Sequence, residues 1–451
     1  MSPDSNIIRA SSEPEWVRDA MWWHVYPLGF VGADIRPSTP ETTVHHRLDR
    51  IEAWLDHVID LGLNGLLLGP VFRSATHGYD TLDHFHVDPR LGGDDDLQRL
   101  IDHAKSRGVR VLLDGVFNHV GRGHELFRLV EEDGPDASSA DMFRIDWAEW
   151  KPGDPVPAEV FEGHDQLVSL NHDSPRVQDL VTDVMVHWLD RGIDGWRLDA
   201  AYAVPPRFWS IVLDRVRERH PQAWFTAEVI HGDKTAFVDA SGVDSVTQYE
   251  LWQGIWHGLL DLNLYELAHA IERHTALLDT FIPSTFIGNH DVTRIATAVG
   301  HPRHLPHALA TLLTVGGIPS IYAGDEYGFR AGKEERFGGD DAVRPEFPAH
   351  PFAPSELDAD SREVMRLTQE LVALRRRMRW LHDGRTEILH RANETLVFRT
   401  TGDAGAVTTA LHLGDAAIEV PAGTATTVLA GEARIAGGRI HLAPHGWAVL
   451  G

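Results

Sequence analysis

The 451-residue sequence contains no cysteine. That excludes disulfides, thiolate metal sites and cysteine nucleophiles. Positive charge is also scarce: 41 Lys and Arg stand against 67 Asp and Glu, a formal net charge of −26. Nucleic acid and anionic membranes both need a basic footprint, so neither is expected as a partner. No run approaches the roughly 18 apolar residues of a membrane-spanning helix. The opening stretch, "MSPDSNIIRASSEPEW", lacks the basic segment and apolar core of a secretion signal, which predicts a cytoplasmic protein. No G-x-G-x-x-G follows any predicted strand, which argues against a doubly wound dinucleotide fold. A small neutral substrate suits such a chain, and its acidity favours solubility.

What is present is alternation. Short apolar runs read as strands at 22–30, 64–72, 109–119, 195–200, 223–230, 245–251, 284–290 and 318–326. Amphipathic segments between them read as helices at 43–62, 94–108, 176–191, 206–220, 264–279 and 303–315, with a last one at about 355–380. Eight such units predict an α/β fold, a (β/α)₈ TIM barrel, built from 1–119 and 173–381. Residues 120–172, rich in Gly, Pro, Asp and Trp and without clear period, read as an insert after the third strand. From 382 to 451 short strands separated by turn residues predict a small C-terminal antiparallel β-domain.

In such a barrel, chemistry sits at the C-terminal ends of the strands. Three carboxylates, Asp199, Glu228 and Asp291, fall there on three different strands. Arg197 and Asp199, in "GWRLDAA", are two apart and so share a strand face. An adjacent guanidinium favours the ionised carboxylate, as a nucleophile requires. Glu228, in "WFTAEVI", has apolar neighbours that favour a protonated acid. A retaining glycosidase uses such a pair about 5–5.5 Å apart. The competing reading is a metal site; barrel hydrolases of that kind carry His-x-His at the first strand's end, where "WWHVYPLGF" has His24 alone.

The motifs resemble those of the α-amylase family, glycoside hydrolase family 13. "DGVFNH" (114–119), "GWRLDAA" (195–201), "AEVIH" (227–231) and "FIGNHD" (286–291) resemble its four principal regions, in order. "LVSLNHDSPRV" (167–177), "HGYDTLDHFHVDPRLGG" (77–93) and "AGDEYG" (323–328) resemble three flanking ones. The resemblance implies Asp199 as nucleophile, Glu228 as general acid/base and Asp291 as the carboxylate gripping the distorted sugar. It implies Arg197, His119 and His290 around that sugar, Tyr79 stacked on it, and Asp80 on its far hydroxyls beside an Arg of the eighth loop, here Arg344. His231 matches a histidine of cyclomaltodextrinase-like members. Asp114 is left outside the catalytic set, as a structural acid.

"FEGH" (161–164) and "EVIH" bring the chain closest to cyclomaltodextrinases and neopullulanases. The reaction implied is retaining hydrolysis of α-glycosidic bonds, mainly α-1,4, in short or cyclic maltooligosaccharides. A transglycosylase or isomerase of the same family is the alternative, and an inactive sugar-binding relative the third. Secreted α-amylases bind calcium through residues that "DAAYAV" lacks, and no compact D-x-N-x-D-G loop follows the first strand. No metal and no other cofactor is therefore expected. Relatives of this type carry an N-terminal β-domain that builds a dimer, whereas about twenty residues precede the first strand here. The chain is expected as a monomer, or as a homodimer through another surface.

Overall fold

The computed structural model describes residues 13–451. Eight parallel strands form one sheet: β1 (Trp22–Val25), β2 (Gly65–Leu68), β3 (Arg110–Gly115), β4 (Gly195–Leu198), β5 (Trp224–Ala227), β6 (Ser245–Val246), β7 (Ser284–Phe286) and β8 (Ile318–Tyr322). Their spatial order is β6-β5-β4-β3-β2-β1-β8-β7. A parallel bridge between Thr247 and Ser284 joins the two ends and closes the barrel. The strands are buried on both faces, as parallel strands wrapped by helices must be. Gly195 is needed where β4 meets β5: a Cβ there would lie 1.9 Å from the Trp224 carbonyl oxygen.

Several strands are shorter than their apolar runs. The first ends at Val25 because Pro27 opens a single helical turn, Pro27–Phe30, and confines Tyr26 to extended backbone. The third ends at Gly115; His119–Gly121 is a separate strand, paired antiparallel with Leu167–Ser169. The sixth stops at Val246, because the Gln248 amide donates to Ser284 O (2.8 Å) and a helix begins at Tyr249. The helix expected over 43–62 is two short ones, Leu48–Glu52 and Leu55–Asp60. Before them the His45 and Arg47 amides donate to Pro89 O and Leu91 O (2.8 Å each), so those residues join a loop instead. The 120–172 segment holds a helix, Glu125–Asp133, capped by the His124 ring.

Beyond the helix Ala359–Arg377, antiparallel strands run from Arg385 to Leu450. Five form one sheet and three another, with Val397, Ala410, Val420, Ile440 and Leu450 packed between them. At the barrel's N-terminal end Trp22, Leu67, Leu112, Trp224 and Ile318 fill the interior. The short helix Glu15–Asp19 closes that end. Among the described residues no helix is long and apolar enough to cross a membrane.

Candidate active site

Strand register sets the geometry. Asp114 on β3 is opposite Arg197 on β4, and Leu198 is opposite Ala227 on β5. Asp199 and Glu228 each follow one of that last pair, so they leave adjacent strands at the same level. Their amides are fixed: Asp199 N–H donates to Gly115 O (3.0 Å) and Glu228 N–H to Leu198 O (2.9 Å). The Arg197 guanidinium lies between three carboxylates. Nη1 donates to Asp114 Oδ2 (2.6 Å) and Asp199 Oδ1 (3.1 Å), and Nη2 to Glu228 Oε1 (2.7 Å). All four residues are buried.

One cation among three buried anions leaves the carboxylates short of compensation. Burial pushes Asp199 well above its usual range, Glu228 adds to that, and Arg197 opposes without winning. Asp114 is also raised by burial, against Arg197. Arg197 therefore divides its charge among three carboxylates instead of serving Asp199 alone, as the spacing suggested. Asp291 is different. Burial alone would raise it, but His290, Arg344 and Arg197 hold it well below the usual range, and its carboxylate is a third exposed. His290 Nε2 lies 2.9 Å from Asp291 Oδ2, and Arg344 Nη2 donates to Asp291 Oδ1 (2.8 Å).

The backbone after Asp199 is strained. Ala200 has φ 44° and ψ 35°, a left-handed conformation uncommon outside glycine. That turn aims its N–H at Glu228 Oε2 (3.0 Å). Gly288 lets the loop after β7 approach Asp325, whose Oδ2 lies 2.2 Å from where a Cβ would be.

The other expected residues gather around this core in different ways. His290 is fully buried and stacks with both Tyr79 (5.5 Å) and Tyr26 (5.7 Å). The Tyr79 hydroxyl meets His290 and donates to Asp114 Oδ2 (3.1 Å), so its ring is packed on protein as well as turned to the site. His119 has both nitrogens engaged: Nε2 with Tyr79 O (3.0 Å) and Nδ1 with the Asn118 amide (3.1 Å). Burial lowers it to about 4, so it is neutral. Asp80 and Arg344 are not paired. Asp80 is buried and accepts from Thr76 N (2.9 Å) and the Thr76 hydroxyl, while Arg344 takes Asp291 and Asp340. His231 is exposed at the rim, edge-on to Tyr202 (5.1 Å).

Sequence reasoning missed three participants. Asp114 is a full member of the Arg197 cluster. The Tyr249 hydroxyl donates to Glu228 Oε1 (2.9 Å), and Asn289 Nδ2 donates to that hydroxyl (3.1 Å). Tyr249 was hidden in "SVTQYEL", where an apolar alternation masks the start of a helix; the polar Thr247-Gln248 step was the available signal. The insert also reaches the site, with Phe161 stacked on His119 (4.8 Å) and Glu162 accepting from the Tyr202 hydroxyl (2.8 Å). Among the described residues no group of three or more His, Asp or Glu side chains is arranged to hold a metal ion.

Comparison with known proteins finds relatives of the chain and of its fold. The alpha amylase catalytic-domain model matches residues 42–384. A cyclomaltodextrinase of a Bacillus species is 30% identical over 358 residues, 74% of this chain. The matched region spans 63% of that enzyme, so the chain covers less than two thirds of this relative. A debranching enzyme of Nostoc punctiforme superposes with a TM-score of 0.80 at 26% identity, covering 97% of this chain and 99% of its own. The cyclic α-maltosyl-(1→6)-maltose hydrolase of Arthrobacter globiformis does so with a TM-score of 0.81 at 25% identity and the same coverage. With the barrel fold shared and three quarters of the chain matched by the family model, this protein belongs to the alpha-amylase catalytic-domain family.

Proposed function

We propose that the chain is a retaining glycoside hydrolase that cleaves α-glycosidic bonds in short or cyclic maltooligosaccharides. The observation that carries this is a single guanidinium, Arg197, touching both Asp199 and Glu228 at the same level of adjacent strands. Neighbouring strands are about 4.8 Å apart, which suits the roughly 5–5.5 Å of double displacement and not the 6.5–9.5 Å of inversion. Asp199 attacks the anomeric carbon while Glu228 protonates the leaving oxygen. With Glu228 protonated, its repulsion on Asp199 is relieved and Arg197 favours the ionised nucleophile against burial. Glu228 then removes a proton from water, which opens the glycosyl–enzyme ester. Asp291, ionised and partly exposed, is placed to accept from sugar hydroxyls. The acidic surface suits a soluble, cytoplasmic monomer or homodimer.

A second reading of the linkage has its own support. Two solved relatives that match this chain over nearly their whole length are named for debranching and for a cyclic α-(1→6)-linked sugar. We therefore infer that α-1,6 bonds are substrates alongside α-1,4 bonds. Incubation with maltotetraose, a cyclodextrin and panose, with products resolved by chromatography, tests both. New oligosaccharides longer than the substrate would instead indicate a transglycosylase. Proton NMR in the first minutes, before mutarotation, should show an α-anomeric reducing end; initial release of the β-anomer would sink the role of Asp199 as nucleophile.

A further inference from the structure

Three groups meet the Glu228 carboxyl, and they divide unequally between its two oxygens. Oε1 accepts from the Tyr249 hydroxyl (2.9 Å) and lies 2.7 Å from Arg197 Nη2, a group that can accept no hydrogen bond. Oε2 accepts from the Ala200 amide (3.0 Å) and has no other partner among the described residues. A carboxyl oxygen carries two lone pairs, so the two contacts take up Oε1 while Oε2 keeps one lone pair free.

The direction of the Tyr249 hydrogen is fixed by Asn289. Asn289 Oδ1 accepts from the Asp291 amide (2.9 Å), which leaves Nδ2 to donate to the Tyr249 oxygen (3.1 Å). The hydroxyl therefore accepts from Asn289 and gives its hydrogen to Glu228, and among the described residues it has no other acceptor. Burial and the charges of Glu228 and Asp291 push this hydroxyl well above its ordinary range, so it keeps its hydrogen. The ring is held independently of the hydroxyl. It is buried and edge-on to Phe286 (4.9 Å) and Trp252 (5.9 Å). A chain of hydrogen bonds thus runs from the Asp291 amide through Asn289 and Tyr249 to Glu228, tying the loop after β7 to the end of β5.

We propose that Tyr249 is a positioning residue for Glu228: together with Arg197 it takes up Oε1, so that the proton given to the leaving group is carried on Oε2. This rests on the retaining-hydrolase reading above. In the first step the anomeric C–O bond breaks as Asp199 forms its ester, and the Oε2 proton passes to the departing oxygen. In the second, water opens the ester and gives a proton back to Oε2, which restores both carboxyl groups. Tyr249 gains and loses no proton in either step. It fixes which oxygen of Glu228 serves as acid and then as base.

The test compares wild type with Y249F on maltotetraose and on α-maltosyl fluoride, reading kcat/KM for each. Fluoride leaves as an anion and takes no proton, so its departure does not call on the acid. Phenylalanine keeps the ring and its packing, and a ratio taken on one preparation cancels any loss of folded enzyme. In Y249F the value for maltotetraose should fall about tenfold, within what general acid catalysis contributes, and that for the fluoride by no more than about twofold. Equal losses on the two substrates would overturn the proposal, because a tyrosine that only supports the fold serves both alike. An undiminished rate on maltotetraose would overturn it too, and either result leaves the proposed function standing. If the wild type cleaves no α-glucan, the proposed function itself fails and the role of Tyr249 falls with it.

Discussion

At the N-terminal end of the barrel Trp22 and Trp224 lie stacked, 5.7 Å apart at 10°, with Trp16 edge-on to both. At the C-terminal end of the same strands Arg197 is wedged among Asp114, Asp199 and Glu228. Only three residues lie between Trp224, at the start of β5, and Glu228, just past its end. One end gains from burial, since apolar surface leaves water and aromatic rings meet edge to face. The other end is taxed by it, since charge leaves water with incomplete pairing. The barrel thus holds a destabilising site on strands anchored from the opposite end.

The largest expected effect tests that division from the catalytic end. Asp199→Asn removes the attacking oxygen and should cut turnover on maltotetraose by on the order of 10³-fold or more, with the fold kept. Circular dichroism and initial rates measured together decide it. A variant that retains a tenth of wild-type turnover would show that Asp199 is not the nucleophile.

Trp224→Ala should do the reverse. Its ring is fully buried and caps the barrel interior. Truncation should cost about 3–5 kcal/mol in urea unfolding, from lost transfer energy and the cavity left behind. The turnover of the molecules that remain folded should change little. A loss of turnover as large as that of Asp199→Asn would mean that the two ends are coupled and the comparison false.

Legibility in the sequence follows the same line. The period of the apolar runs reveals strand order and barrel, because a buried strand needs apolar residues on both faces. Residues tied to a strand end by local spacing were equally readable: Arg197, Asp199 and Glu228 fall where the register puts them. What escaped depends on contacts across the barrel. Tyr249 reaches Glu228 from a helix that begins one strand further on, and no periodicity carries that. Asp114 was set aside as a structural acid holding loops, although Arg197 holds it more closely than Asp199. The opposed shifts of Asp199 and Asp291 could not be read either, since they depend on burial and Glu228 at the one and on His290 and Arg344 at the other. Strand ends were overrun wherever an apolar stretch continued into a turn, as at Pro27.

The smallest expected effect is the finest test, because it sets two carboxylates of one site against each other. Asp199 has its folded pKa raised above the unfolded value of about 3.9. Its contribution to stability is present below that value and is lost as pH rises through the folded pKa, so at neutral pH this carboxyl weighs against folding. Asp291 has its folded pKa depressed, so its contribution is present above about 3.9 and is lost as pH falls through the folded value. Replacing each by Asn at pH 7 should therefore move the Tm in opposite directions, up by about 1–2 °C for Asp199→Asn and down by less for Asp291→Asn. The second shift is smaller because the Asp291 carboxylate is a third exposed, and solvent screens its pairing. Thermal unfolding followed at pH 7 and at pH 4 reads both. The rise for Asp199→Asn should shrink at pH 4, where its carboxyl is protonated in the folded state and in about half of the unfolded chains. Shifts of the same sign at pH 7 would mean that Asp199 sits in no excess of buried negative charge.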